Sequence, residues 1–244
     1  MEIDVPILLE HVGEAIKERN TVLVLILDEL QYLSKQELGA LIMAFHRIVQ
    51  KQLPLMIVGA GLPQLLSLVG ASKSYAERMF DFPYLGPLEK ELAFQALQNP
   101  TEALNVRFAK KALEEIFNKT KGYPYFLQEW GYQCWNLSNS KVITLDIVKK
   151  ANKHSLNRLD EGFFRVRFDR LTPTEKKYLR ALASFGGGSH RSGGIAEKLG
   201  ASPQSVAPLR NKLIKKGMIY SPSHGDTEFT VPLFDNFMKR IMPE

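Results

Sequence analysis

The sequence predicts an α/β region in the first third of the chain, then an all-helical region, and then a small domain of helices with a β-hairpin. Two aliphatic runs, residues 22–27 and 53–61, have the composition of strands that are buried on both faces of a parallel sheet. From about residue 87 the apolar residues recur at helical spacing instead. Short strand patterns return only near the C-terminus.

The first region alternates helices and strands. An amphipathic helix precedes the strand at residues 22–27, and Ser34 and Glu37 have the spacing of a capping box that opens the next helix. A strand, a short helix and a weaker strand follow at residues 53–61, 63–69 and 80–85. This order is typical of a parallel sheet with right-handed crossovers, and we place the α/β core at residues 1–86.

The rest of the chain divides into two further predicted segments. Residues 87–168 contain four helical patterns and no strand pattern, which predicts an all-α subdomain. Residues 169–244 open with Thr172, Pro173 and Glu175, which supply an N-cap, a proline at the first helical position and a capping-box acid. Two short helices, a hairpin with strands at 218–221 and 227–231, and a last helix follow. Three helices and a hairpin make up the winged variant of the helix-turn-helix.

Composition excludes several classes of protein. The chain has 244 residues, of which 45% are hydrophobic and 24% charged, so it is neither disordered nor fibrous. The longest aliphatic run is far too short to span a bilayer, and no basic segment followed by an apolar stretch begins the chain. We therefore expect no membrane partner and no signal peptide. Cys134 is the only cysteine, which excludes an internal disulfide and favours a cytoplasmic location.

Asp28 and Glu29 directly follow the first predicted strand. Ligands of open α/β sheets bind at the carboxyl ends of the strands. In ATPases an aspartate in this place holds Mg²⁺ through water, and an adjacent acid orients and deprotonates the attacking water. An aliphatic run followed by Asp-Glu is the pattern of a Walker B motif. The alternative is that the two acids only end the strand and help to start the next helix.

The order of several segments along the chain carries a wider resemblance. LVLILDELQYL is followed by LPLMIVGAGLPQL, KSYAERMFDFPYLGPL, KGYPYFLQEWG and the winged-helix pattern. Over essentially its whole length the chain resembles the AAA+/STAND-like ATPases of bacteria and archaea related to the origin-recognition initiators. The resemblance implies a partial parallel-sheet P-loop ATPase core, an all-α lid and a C-terminal winged-helix domain, with ATP and Mg²⁺ as cofactors.

The resemblance also implies roles for single residues. Asp28 would be the acid that holds Mg²⁺ through water, and Glu29 the acid that orients water. Arg78 would be an arginine finger that reaches the γ-phosphate of a neighbouring subunit in a homo-oligomer. The residues that would approach the nucleotide, at the start of a lid helix, are Gly122, Tyr123 and Pro124. The alternatives are that Arg78 is a solvated surface residue and that Gly122 caps a helix before the proline of the next one.

Two positions depart from the pattern of this family. Gly59, Ala60 and Gly61 stand where many relatives have a polar sensor residue. The sequence also contains no G-x-x-x-x-G-K-[ST], and its nearest approach, residues 70–74, does not lead from a strand into a helix. This loop supplies the backbone N–H groups and the lysine that hold phosphates. We therefore expect the chain to be the C-terminal part of a longer ATPase and to be inactive alone. The alternative is a split or degenerate version that borrows the missing half or has abandoned ATP.

The C-terminal domain carries most of the net charge of +6, since residues 171–244 contain 11 Lys and Arg against 6 Asp and Glu. A local basic surface favours contact with double-stranded DNA. The candidate contacts, on the presumed recognition helix and the hairpin tip, are Gln204, Ser205, Arg210, Asn211, Lys212, Lys215, Lys216 and His224. The alternatives are that the two last lysines of the helix complement its dipole and that the winged helix packs on protein. A second hypothesis for the whole chain is thus a non-catalytic DNA-binding or scaffold protein with a relic ATPase core.

Overall fold

The computed structural model describes residues 4–73 and 75–243, which form two compact units, Met1–Tyr84 and Leu85–Glu244. The regular elements of the first unit are α1 (Val5–Glu18), β1 (Leu23–Leu27), α2 (Lys35–Gln50), β2 (Leu55–Gly59) and α3 (Leu65–Ser72). Single turns of 3₁₀ helix lie at Leu30–Tyr32 and Ala76–Arg78. The predicted capping box opens α2, with Ser34 Oγ accepting from the Glu37 N–H and Glu37 accepting from the Ser34 N–H.

The sheet of the first unit has one covered face and one bare face. β1 and β2 pair in parallel, with Leu23 opposite Leu55 and Leu27 opposite Gly59. Leu9 and Val12 of α1 and Phe45 and Ile48 of α2 pack on the face that carries Leu23, Leu25, Leu55 and Ile57. The side chains of the opposite face are exposed, namely Val24, Ile26, Met56 and Val58. The prediction of strands buried on both faces is therefore wrong, because α1 and α2, the described helices that pack on the sheet, lie on the same side of it.

The third predicted strand, near residues 80–85, does not form, so this prediction is wrong. A strand exists only where its backbone groups pair with a neighbour, and the sheet holds β1 and β2 alone among the described residues. Phe80 instead packs its ring against the apolar residues of α2 and stacks edge-on against Phe82 at 6.3 Å. Tyr84 and Leu85, which also suggested a strand, are exposed.

The second unit is mostly helical. Its α-helices are α4 (Lys90–Glu102), α5 (Lys110–Thr120), α6 (Pro124–Leu137), α7 (Leu145–Arg158), α8 (Arg165–Asp169), α9 (Pro173–Ser184), α10 (Ser192–Lys198), α11 (Pro203–Lys215) and α12 (Phe234–Ile241). Its strands are β3 (Arg107–Phe108), β4 (Val142–Ile143), β5 (His190–Arg191), β6 (Ile219–Tyr220) and β7 (Asp226–Phe229). Between α7 and α8 the residues Leu159–Phe164 form a π-helical turn.

Short strands pair in two places within this unit. β3 and β4 pair in parallel, which was not predicted because two-residue strands leave no alternation in the sequence. The expected hairpin forms from β6 and β7, and β5 adds a third antiparallel strand in the order β5-β7-β6.

One continuous core runs through the whole second unit, on both sides of the predicted boundary at 168/169. Phe164, on the π-helical turn, lies at its centre and is fully buried. Its ring centroid is 5.8 Å from that of Phe126 on α6, 5.7 Å from Phe234 and 5.3 Å from Phe237 on α12. Asp160 on the same turn forms an ion pair with Arg240 of α12. The helices before and after the predicted boundary thus contribute to the same core.

An ion pair between the buried Glu175 and Lys216 joins α9 to the end of α11. Thr172 and Glu175 form the predicted capping box, and Glu175 is only 3% exposed. Lys216 donates from Nζ to Glu175 Oε2 at 2.7 Å. Burial by itself raises the pKa of Glu175, but the hydrogen bonds from Lys216 and from the Thr172 N–H outweigh it and hold the pKa below its ordinary value.

No helix among the described residues is long and apolar enough to cross a membrane.

Replacing Phe164 by alanine tests the shared core. We expect Phe164→Ala to lower the free energy of unfolding of the second unit by about 3–5 kcal/mol, the usual cost of a large cavity in a core. Phe185→Ala is the matched control, since Phe185 is 46% exposed, and should cost about 0.5 kcal/mol or less. Denaturant unfolding followed by the fluorescence of Trp130 and Trp135, both on α6, and by hydrogen exchange in α12 should give one midpoint. Two separate midpoints would contradict a common core.

Replacing Glu175 by glutamine tests the acid between α9 and α11. We expect Glu175→Gln to reduce stability by about 1–3 kcal/mol at pH 7, as for loss of a hydrogen-bonded charge. Because the pKa of Glu175 is lower in the folded than in the unfolded chain, its contribution is present above the unfolded pKa of about 4.3 and is lost as the pH falls through the folded pKa. The difference between variant and parent should therefore shrink in acid. Glu114→Gln, which breaks an exposed pair with Lys90, should change stability by about 1 kcal/mol at most.

Candidate functional site

Asp28 and Glu29 lie at the carboxyl end of β1, and both are exposed. Glu29 adopts the left-handed conformation, with φ +58°, which is uncommon for a residue with a side chain. This sharp turn brings the Glu29 N–H to Asp28 Oδ1 at 2.7 Å. The two carboxylates are thus held in a fixed backbone turn rather than on a flexible loop.

The turn after β1 is bonded to the turn after β2. The Ala60 N–H donates to the Leu27 carbonyl at 2.8 Å, and the Leu30 N–H donates to the Ala60 carbonyl at 3.0 Å. Gln31 joins the same two turns through its side chain, since its Oε1 accepts from the Leu62 N–H at 3.0 Å and its Nε2 donates to Glu29 Oε2. Gln31 therefore holds the carboxylate of Glu29 against the second turn through Oε2.

Close packing explains the glycines where the family has a polar sensor residue. A Cβ added to Gly59 would lie 2.4 Å from Leu30 Cδ1. A Cβ added to Gly61 would lie 2.8 Å from Gln31 Oε1 and 2.9 Å from Leu65 Cδ2. A side chain at either position would require the side chains of Leu30, Gln31 or Leu65 to shift. At Gly61 the side chain that would shift includes Gln31, which joins the two turns.

The acidic turn fits Mg²⁺ only as part of a larger ligand set. Among residues 4–73 and 75–243, no group of three or more His, Cys, Asp or Glu side chains could hold a metal ion. Mg²⁺ usually keeps several waters and takes one or two carboxylates together with phosphate oxygens. Asp28 supplies one carboxylate of that kind, and the remaining ligands would come from water and phosphate.

The other residues of the implied nucleotide site lie in other elements of the chain. Arg78 is exposed at the end of the 3₁₀ turn Ala76–Arg78, and no ion pair joins it to a described residue. Gly122, Tyr123 and Pro124 belong to the second compact unit.

The junction at Gly122 is closely packed. Gly122 has φ +76°, and a Cβ there would lie 2.0 Å from the Leu88 carbonyl oxygen, so no other residue fits without a backbone shift. The Leu88 N–H donates to the Gly122 carbonyl at 2.9 Å. Pro124 is the first residue of α6, and burial raises the pKa of Tyr123. These contacts are those of a helix-to-helix junction, while Gly122–Pro124 as a nucleotide contact stays a prediction.

Two of the candidate DNA contacts are engaged inside the C-terminal part of the chain. Arg210 donates from Nε to Thr227 Oγ1 at 2.8 Å, and from Nη2 to Ser221 Oγ at 2.8 Å and the Asp226 carbonyl at 2.6 Å. Its guanidinium thus ties α11 to the hairpin. Lys216 is held by Glu175 and by the Arg170 carbonyl. Both side chains stabilise the geometry of this region.

The other candidates lie on exposed surface. The exposed side of α11 carries Gln204, Ser205, Asn211, Lys212 and Lys215, while Val206 and Leu213 on the opposite side are buried. Ser205 donates from its hydroxyl to the Ser202 carbonyl at 2.8 Å. His224 is exposed at the hairpin tip, where its carbonyl accepts from Arg191 Nη1 at 3.2 Å. Arg191 of β5 was not predicted to lie beside the hairpin tip, because a two-residue strand leaves no alternation in the sequence.

Cys134 does not take part in any such site. It is fully buried on α6, and burial raises the pKa of its thiol to about 12. A thiol of this kind stays protonated near neutral pH and is a poor nucleophile and metal ligand.

Known proteins match this chain in two ways, through one family model and through solved structures. Residues 161–238 match a family described as a domain of unknown function, DUF8462, which is less than half of the chain. Comparison with curated protein sequences gave no match.

Solved structures of three proteins are similar to this chain in backbone fold to different degrees. A Walker-type ATPase of Pyrococcus abyssi superposes with a TM-score of 0.69 at 16% identity, over 98% of this chain and 69% of that one. Cdc6p of Pyrobaculum aerophilum gives 0.45 at 15% identity over 94% and 68%, and the RuvB Holliday junction branch migration motor of Thermotoga maritima gives 0.43 at 17% over 93% and 92%. The last two scores lie below 0.5, so the fold assignment depends on the first likeness. The chain thus shares the fold of that Walker-type ATPase, and the prediction of an ATPase-like α/β fold is confirmed at that level.

Proposed function

We propose that this chain is the C-terminal part of an AAA+/STAND-like ATPase that binds ATP and Mg²⁺ and couples hydrolysis to movement of a winged-helix domain. The observation that carries the proposal is the acidic turn of Asp28 and Glu29, fixed against the turn after β2 in a chain with the fold of a Walker-type ATPase. The phosphate-binding loop would be supplied by another segment, because the sequence contains no G-x-x-x-x-G-K-[ST].

In this proposal Asp28 takes part in Mg²⁺ binding, and Glu29 takes part in proton transfer. Bound Mg²⁺ would neutralise the charge that develops on the phosphates. Asp28 would hold a water of that ion through the oxygen that does not bind the Glu29 N–H. Glu29 would orient the attacking water and accept its proton at Oε1, since Oε2 is held by Gln31. Gln31 is then a positioning residue that acts through Glu29.

Arg78 and the junction at Gly122 keep the roles that the resemblance implies. An exposed arginine on a short turn is available to a neighbouring subunit, which supports a homo-oligomer with Arg78 as its finger. Gly122, Tyr123 and Pro124, at the start of α6, would approach the nucleotide.

Assays of ATP hydrolysis test the proposal. We expect the 244-residue chain alone to show no turnover above background, because it lacks the loop that holds phosphates. When the missing segment is present, Glu29→Gln should lower kcat by about 10²–10⁴-fold, the usual contribution of a general base, with ATP binding retained. Glu18→Gln, an exposed acid of the same unit, is the charge-matched control and should change nothing. Turnover by the short chain that Glu29→Gln abolishes would refute the need for a further segment, and unchanged turnover of Glu29→Gln with that segment present would refute the role of Glu29.

A second candidate function is DNA binding without catalysis, with the α/β unit as a relic or scaffold. The specific observation in its favour is the exposed side of α11, where Lys212 and Lys215 stand beside Asn211 and Gln204. Arg210 fixes the hairpin next to this surface, as a recognition helix and its wing require. The two lysines suit phosphates, and the two amides suit base edges.

A titration with duplex DNA at several salt concentrations tests this second candidate. We expect Lys212→Ala with Lys215→Ala to weaken binding and to make the slope of log K against log salt shallower by about 2, since each lost phosphate contact contributes about 0.9. Lys216 is left intact because it holds Glu175. The control pair is Lys149→Ala with Lys153→Ala, two exposed lysines of α7. Absence of binding to any duplex at low salt, or an equal loss in both pairs, would exclude the α11 surface.

A further inference from the structure

Three aromatic side chains are exposed along one side of α6. Tyr132 is 53% exposed, Tyr125 48% and Trp135 39%. Tyr132 follows Tyr125 by two helical turns, which is about 10 Å, and Trp135 follows about one turn later. This spacing places the three rings on the same side of the helix, and we call them the α6 aromatic surface. The side of α6 that faces the core carries Phe126, Leu127, Trp130 and Cys134.

Two arginines lie against aromatic rings of this region. The guanidinium carbon of Arg158 is 5.1 Å from the centre of the Tyr132 ring. The guanidinium carbon of Arg167 is 3.7 Å from the centre of the Phe163 ring, and Phe163 in turn stacks on Tyr125 with 4.8 Å between the ring centres. A guanidinium over a ring is attracted by the negative face of its π-system. Positive charge therefore borders the α6 aromatic surface near both tyrosines.

The charge around the α6 aromatic surface favours an anionic partner. Within α6, which the structure describes throughout, Glu129 is the only acid, and its side chain is just 9% exposed. Glu129 Oε2 lies 3.4 Å from Arg158 Nε, while the Arg158 side chain is 60% exposed. Residues 145–170, which include the neighbouring helix α7, contain seven Lys and Arg against four Asp and Glu. A local excess of cations beside exposed rings attracts a polyanion.

Single-stranded nucleic acid is the polyanion that fits exposed aromatic rings. Every base has a flat face that stacks on an aromatic side chain, and arginines bind the phosphates alongside. In a duplex the bases are stacked on one another, and only their edges are accessible in the grooves. A proline-rich peptide also packs on exposed aromatic rings, but it brings no negative charge for the arginines.

We propose that the α6 aromatic surface binds single-stranded nucleic acid, with bases stacked on Tyr125, Tyr132 and Trp135 and phosphates bound by Arg158 and Arg167. This binding goes beyond the proposed function, because it uses no residue of the acidic turn and none of the exposed side of α11. DNA and RNA share the chemistry that the surface recognises and differ in the 2′-hydroxyl. The sequence of the bases matters little, since stacking tolerates every base.

Fluorescence anisotropy with labelled oligothymidylate and oligouridylate tests the stacking in the 244-residue chain. We expect Tyr132→Ala to raise the Kd by about 5- to 100-fold, the usual effect of losing one base-stacking ring, and Tyr132→Phe to bind as the parent does. Tyr84→Ala is the matched control and should leave the Kd unchanged, since Tyr84 is 70% exposed and belongs to the first unit. A lower Kd for oligouridylate than for oligothymidylate would identify RNA as the ligand.

The fluorescence of Trp135 gives a second readout that does not depend on affinity. A base stacked on Trp135 should quench its emission, whereas Trp130, the only other tryptophan, is fully buried. Trp135→Phe should therefore retain the Kd, because a ring remains to stack on, and should lose the quenching.

The salt dependence of binding tests the arginines. Each phosphate contact of a single strand contributes about 0.7 to the slope of log K against log salt. Arg158→Gln should therefore make the slope shallower by about 0.7. Lys149→Gln is the control and should leave the slope unchanged. Lys149 is exposed and lies on the opposite side of α7, because about two and a half helical turns separate it from Arg158.

Three results would overturn the proposal. One is the absence of binding to either oligonucleotide at low salt, including the case in which a proline-rich peptide, titrated in parallel, binds through Tyr132 instead. Another is a Kd that Tyr132→Ala and Tyr84→Ala change equally or not at all. The third is binding that Lys212→Ala with Lys215→Ala abolishes and Tyr132→Ala leaves intact, which would assign single strands to α11.

Discussion

The parallel pairing of β1 with β2 is the interaction on which the candidate site depends. It brings the turn of Asp28 and Glu29 beside the turn of Ala60, where backbone bonds and Gln31 join them. The same pairing sets the positions of two glycines, because Leu30 and Gln31 occupy the space that side chains at 59 and 61 would need. The acidic turn is therefore preorganised by the sheet before any ligand arrives, which is what a site for a hydrated cation and a phosphate requires.

In the second unit, only part of the positive charge is available for contact with a partner. Two of the basic residues have structural contacts, since Arg210 holds the hairpin and Lys216 neutralises a buried acid. The basic surface that remains is smaller, with Lys212 and Lys215 as its main members on α11. Such a surface gives a modest electrostatic contribution, so shape and the positioning of the hairpin would carry more of any binding.

The sequence was sufficient for features that depend on local chemistry. Both capping boxes, at Ser34 and Thr172, open helices as predicted, because the N-cap side chain and the acid three residues later satisfy each other. The acids that end β1 were also found from the sequence alone. Features that depend on distant partners were missed: the predicted strand near residue 80 has no neighbour to pair with, and the aliphatic residues of β1 and β2 are covered on one face only. Gln31 was missed because a glutamine two residues after an acid carries no signal until the turn after β2 is in place.

The π-helical turn at Leu159–Phe164 has a mechanical consequence for the second unit. Phe164 packs against Phe126 of α6 and Phe237 of α12, and Asp160 is paired with Arg240 of α12, so the turn joins α6 to α12 by apolar and ionic contacts. The aromatic rings of this cluster are Phe126, Phe163, Phe164, Phe168, Phe234 and Phe237. A change in the position of α12 would therefore require rings at the start of α6 to repack.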